Sequence, residues 1–163
     1  MSVSLTSSGL AMPASQSASG DANTLDDYEE GTYSPGVAGT SGSASGVNFN
    51  TRLGLYTLVG RMVKVMIHIH LSSWSSGPSG NLFITLPSNA VNSYSCGAAL
   101  GYMANWSKYP TNAIVSGGSD RLYLYTRDAA SSAAPTLGTG ITNVGGADML
   151  ATSNIYTGAV YAR

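Results

Sequence analysis

The stretch Arg61-Met-Val-Lys-Val-Met-Ile-His-Ile-His-Leu71 decides the fold. Val63, Val65, Ile67, Ile69 and Leu71 fall on one side of an extended chain, and Met62, Lys64, Met66, His68 and His70 on the other. Successive side chains of a strand point to opposite faces, so the period of two predicts a half-buried β-strand. Gly60 ahead of it and the Ser- and Gly-rich run 72–80 behind it punctuate the strand.

The same rhythm extends in both directions. Leu82, Ile84 and Leu86 predict a second strand, stopped by Pro87, which cannot donate to a ladder. Residues 95–103 and 112–116 offer further strands. Gly117-Gly118-Ser119-Asp120 then reads as the turn of a hairpin into residues 121–126. Residues 154–162, with Ile155, Tyr156, Val160 and Tyr161, give a closing strand, whereas 128–153 reads as either loop or weak strand. No segment sustains a helical period. The fold expected is all-β, an antiparallel β-sandwich of jelly-roll-like form (residues 32–163) behind an extended N-terminal arm (residues 1–31).

Composition narrows the function. The 163 residues suit one domain with a sizeable core. Charged residues make up 9% of the chain, against about 25% in ordinary soluble domains. Hydrophobic residues make up 43%, so the sequence is not that of a disordered chain. A surface so poor in charge points to coverage by neighbours. Residues 1–30 hold Asp21, Asp26, Asp27, Glu29 and Glu30 without Lys or Arg, a charge of −5. Residues 31–163 hold seven Lys and Arg against Asp120, Asp128 and Asp148, a charge of +4. An acidic leader on a mildly basic body reads as one that docks on a body, its own or a neighbour's. The basic excess is too scattered for a nucleic-acid partner. Cys96, the only cysteine, allows no intrachain disulfide, in keeping with assembly in a reducing cytoplasm. There is no signal-peptide pattern and no apolar run long enough to span a membrane, so the sequon Asn105-Trp106-Ser107 is expected to stay unmodified.

The leader has two further features. Val3, Leu5, Leu10, Met12 and Pro13 interrupt Ser-, Ala- and Gly-rich text, which suits either a disordered tail or an arm that orders against a partner. Thr24-Leu25-Asp26-Asp27 has the form of a capping box, and Gly31 that of a left-handed C-cap. A single helical turn over 25–30 is therefore expected.

Candidate chemistry is sparse. His68 and His70 share a strand face at a spacing that can chelate a metal. No Cys, Asp or Glu flanks them, though, and Lys64 on that face opposes a cation, so a polar or inter-subunit face is preferred and no metal is expected. Asp26, Asp27, Glu29 and Glu30 crowd one short segment, whereas glycosidase carboxylates face each other across a cleft. The sequence has no nucleophile elbow, no local signature around Cys96 and no phosphate-binding loop. The expectation is a non-enzymatic protein without cofactor. Trp74, Tyr102, Trp106 and Tyr109 lie near Ser- and Asn-rich loops, as sugar-stacking or subunit-interface aromatics.

The stretch Pro13-Ala-Ser-Gln-Ser-Ala-Ser-Gly-Asp-Ala-Asn-Thr-Leu-Asp-Asp-Tyr-Glu-Glu-Gly-Thr-Tyr-Ser-Pro35 resembles a structural module that recurs in tailed bacteriophages. The Leu25-to-Gly31 core is its specific part, and Tyr33 stands where the family more often has Trp. Tyr56 to Arg61 and Gly80 to Pro87 continue the likeness in outline, so that it covers residues 12–87. The module occurs at tail-fibre ends and in short capsid-associated proteins. The resemblance implies a homotrimeric β-sandwich virion protein assembled in the host cytoplasm. With little sequence ahead of the module and no shaft, a capsid decoration or cement subunit is expected, bound to the major capsid protein. The alternative is a receptor-binding tip of a tail or head fibre. The residues expected at the subunit or capsid interface are Leu5, Leu10, Met12, Asp26, Asp27, Tyr28, Glu29 and Glu30. No membrane partner is expected.

Overall fold

A computed structural model of the chain describes residues 4–11, 27–127 and 141–163. Among these, strands account for nearly all regular structure, and one 3₁₀ turn, Gly146–Asp148, is the only helical element. The strands are β1 (Ser4–Thr6), β2 (Gly9–Ala11), β3 (Tyr28–Tyr33), β4 (Val37–Gly39), β5 (Gly42–Ser43), β6 (Asn48–Val59), β7 (Met62–Ser73), β8 (Leu82–Thr85), β9 (Cys96–Trp106), β10 (Asn112–Val115), β11 (Arg121–Arg127), β12 (Ile141–Asn143) and β13 (Met149–Ala162). β1 and β2 form a separate hairpin. The others form one antiparallel sheet in the order β3-β6-β7-β13-β9-β10-β11-β8-β4-β5, with β12 also pairing with β11. The sheet curls over its own inner face as a half-barrel, the sandwich-like all-β form that alternation predicts.

The deciding stretch is β7, and its alternation holds residue by residue. Val63, Val65, Ile67, Ile69 and Leu71 are each at most 2% exposed. They meet Leu82 and Ile84 of β8, Val115 of β10, Leu122 and Leu124 of β11, and Ile155 of β13 in one core. β6 and β7 join through a two-residue turn in which Gly60 takes the left-handed conformation, φ +57°. The predicted hairpin after residue 116 is β10–β11, closed by Ser116 and Arg121 and with Gly118 at φ +73°. Val91 N–H donates to Ala162 C=O at 2.7 Å, and Leu86 N–H to Asp120 C=O at 2.8 Å, which ties the loop after β8 across the curl.

Two expectations change. The segment 28–30 is not helical; it is the start of β3, in register with β6 from Tyr28↔Val59 to Tyr33↔Gly54. A one-turn helix yields few backbone bonds, whereas the strand pairs along its whole length. β3 thus crosses from the acidic leader into the body. Gly31 is not a left-handed cap, and its role is steric. A Cβ there would lie 2.9 Å from the Tyr56 hydroxyl, and one on Gly54 would lie 2.5 Å from Cδ1 of Tyr33. Since Gly31 pairs with Tyr56 and Gly54 with Tyr33, each strand lays a tyrosine over the other's glycine. The two rings meet edge-on, 6.4 Å apart at 69°. Within the leader, β1 and β2 pair Leu5 with Leu10; Met12, Thr24, Leu25 and Asp26 lie outside the described residues.

Candidate functional site

The inner face of the sheet is filled, and the unusual chemistry lies on the outer one. Cross-strand partners point to the same side of a sheet. The register therefore sets Tyr28 of β3 beside Val59 of β6, and Leu53 and Leu55 of β6 beside His68 and Met66 of β7. Tyr156, Gly158 and Val160 of β13 follow beside His68, Met66 and Lys64. Tyr102 of β9 reaches Tyr156 edge-on, with ring centroids 6.0 Å apart. Of the thirteen large hydrophobic residues exposed among the described residues, nine lie on this face: Tyr28, Leu53, Leu55, Val59, Met62, Met66, Tyr102, Tyr156 and Val160.

A large side chain presents ~150–200 Å². Nine at about half exposure offer ~700–900 Å², more than the few hundred Å² a monomer usually leaves bare. That is one partner's share, ~800 Å², of a standard protein interface.

The face is grooved. Gly101 and Gly158, with Ala99, leave a trough of about 420 Å³ between Leu53, Leu55, Met66 and Tyr156. A second depression of about 380 Å³ adjoins it across Leu55 and Met66 and reaches Lys64 and Glu30. A Cβ on Gly158 would lie 2.8 Å from the Val65 carbonyl oxygen, so the floor stays bare of side chains. The His68 ring stacks on Tyr156 at 3.9 Å. Its Nε2 is buried without a partner, whereas His70 Nε2 lies 3.4 Å from Asn50 Nδ2. Among the described residues, no three His, Cys, Asp or Glu side chains converge as metal ligands. Both histidines sit on the outer strand face, His68 against the Tyr156 ring and His70 beside Asn50.

The acidic residues of the leader separate by strand alternation. Asp27 and Glu29 engage the chain's own body: Arg163 pairs with Asp27, and the Tyr56 hydroxyl donates to Glu29 Oε1. That bond raises the Tyr56 phenol above its ordinary range, and the Tyr28 phenol is raised by its bond to Glu30. Gly60 N–H also donates to the Asp27 carbonyl at 2.6 Å, which ties the start of β3 to the β6–β7 turn. Glu30 points instead to the outer face, beside the second depression.

Of the four aromatic candidates, Tyr102 and Tyr109 are exposed, at 61% and 48%, and only Tyr102 belongs to the apolar face. Trp74 is half-buried against the core. Trp106 is 5% exposed, with Nε1–H donating to the Asn154 carbonyl at 3.0 Å, so it is a core residue. The Cys96 thiol donates to the Val160 carbonyl, and burial pushes its pKa up, away from the reactive thiolate. Leu5 is 85% exposed on the separate hairpin. The residues sequence reasoning missed are Leu53, Leu55, Met66 and Tyr156. Their signal was an apolar or aromatic residue at outward strand positions.

No family model matches the chain, and no curated protein is significantly similar to it. A solved structure, that of the Dettilon tailspike protein (gp208), shares the fold over 83% of this chain, with a TM-score of 0.64 and 22% identity. The chain spans 24% of the length of that protein.

Proposed function

We propose that the chain is a structural, non-enzymatic subunit of a bacteriophage particle that works by self-association, its outer sheet face covered by further copies arranged as a homotrimer. The observation that carries this reading is the concentration of nine exposed large hydrophobic residues on one face of the sheet. Covering ~800 Å² of it removes apolar surface from water at ~25 cal/mol per Å², the gain that must offset the ~4–15 kcal/mol lost in association and the ordering of side chains at the contact. The leader motif and the fold shared with a tailspike segment support placement in a phage virion.

Within the virion, the subunit decorates the capsid shell, bound to the major capsid protein and adding buried area across capsomer junctions. A tail or fibre tip is the second reading, favoured by the tailspike likeness. Sedimentation of the purified full-length chain tests self-association: a trimer is expected, and a monomer at micromolar concentration would refute it. Copy number per purified particle tests placement. Hundreds of copies support decoration of the shell, and a few tens or fewer refute it in favour of the tail.

A further inference from the structure

The β1–β2 hairpin and the groove each lack what the other offers. An isolated two-stranded hairpin is marginal in water and needs a surface to lie on. Here Ser4–Gly9 is exposed throughout, with Leu5 at 85% exposure and in register with Leu10. The groove has glycine and alanine at its floor, apolar walls and about 420 Å³ to fill, a volume suited to leucine side chains.

We propose that the groove bounded by Leu53, Leu55, Met66 and Tyr156 receives the Leu5–Leu10 hairpin of a neighbouring copy. The sixteen residues from Met12 to Asp27 span at most ~55 Å, ample to cross a sheet face of ~20 Å. Docking in trans buries the hairpin and also brings a second body over the parts of the face that the groove does not reach. Docking in cis would leave Val59, Met62 and Val160 bare. The inference rests on the self-association reading and names what fills the groove.

The test uses the full chain in three forms. Met66→Glu charges a groove wall at a site 55% exposed, so the fold is expected to survive, which circular dichroism checks. Leu5→Asp with Leu10→Asp makes the hairpin polar. Leu5→Cys with Met66→Cys, in a Cys96→Ser background, reports proximity by oxidation. Expected are dissociation of the Met66→Glu variant, at least tenfold weaker association of the hairpin variant, and disulfide-linked species of two or more chains. If Met66→Glu dissociates while the hairpin variant associates as the wild type does, the hairpin is not the occupant and the self-association reading stands. A disulfide formed only within single chains also overturns the exchange. If Met66→Glu leaves the assembly intact, both the groove and the face are wrongly assigned.

Discussion

Replacing Gly54 by Ala tests how the acidic leader is fastened to the body. The inner side of the β3–β6 pair is held by the reciprocal glycine–tyrosine contacts, and an added methyl at Gly54 would collide with Cε1, Cδ1 and Cζ of the Tyr33 ring. The neighbour that must move is a ring, not a flexible tip, and it packs against the core. Expelling it forfeits ~1.5–3 kcal/mol of burial. Part of this returns, because the Tyr33 hydroxyl is buried without a partner and would regain water, worth ~1 kcal/mol. Net destabilisation of about 0.5–2 kcal/mol follows, or roughly 1–8 °C in Tm for a domain of this size.

The sign should reverse when the ring is absent. In a Tyr33→Ala background the ring that blocks the extra methyl is gone, and Ala in a strand is about 0.5–1 kcal/mol better than Gly. Gly54→Ala should then stabilise, giving a coupling of about 1–3 kcal/mol in a double-mutant cycle. Urea unfolding of the four proteins measures it, and amide exchange over residues 28–33 shows whether β3 loosens first. Equal effects of Gly54→Ala in both backgrounds, within about 0.5 kcal/mol, would refute the contact as the fastening of β3.

Tyr33→Phe, by removing a buried hydroxyl with no partner, should leave stability unchanged or raise it by about 1 kcal/mol in thermal melts. It should also flatten the alkaline loss of stability. Burial, with Tyr161 nearby, holds the Tyr33 phenol above its ordinary value of 10.0. The folded state therefore keeps a proton the unfolded chain gives up, and stability falls as pH rises past about 10; denaturation midpoints between about pH 8 and 12 check this. Leu122→Ala, at a position 0% exposed in the centre of the core, should cost about 2–5 kcal/mol in urea unfolding. Asp27→Asn should cost under about 1 kcal/mol in the same assay, and less in high salt, because the pair with Arg163 is partly exposed.

The strands that were legible are those with one apolar and one polar face. In β7 the inward positions are all Val, Ile or Leu, and Lys64, His68 and His70 break the outward row, so the period of two stands out. β8, β10 and β11 were found by short apolar runs between turns. β6 was not found, although it is as long as β7, at twelve residues each. Its inward row includes Arg52 and Gly54, and its outward row includes Leu53, Leu55 and Val59, so it reads as inverted. Arg52 can occupy that row at the strand's open end because its Nε donates to the Pro35 carbonyl at 2.8 Å and its guanidinium lies over Phe49. Gly54 can because Tyr33 fills its place.

That inversion links fold to function. Patterning assumes that the side of a strand that meets water is polar, and β6 violates the assumption because its outward side carries Leu53, Leu55 and Val59. The same reasoning reassigns the leader motif. Asp27, Glu29 and Gly31 were read as parts of a helical turn, yet strand alternation gives them a joint use on the inner side: an ion pair to Arg163, a hydrogen bond from Tyr56 and a bed for its ring. Tyr28 and Glu30, between them, are left for the outer face. A segment so divided fastens the leader to its own body with one set of side chains and extends the exposed outer face with the other. Its information lay in register with a strand more than twenty residues away, which local propensity does not carry.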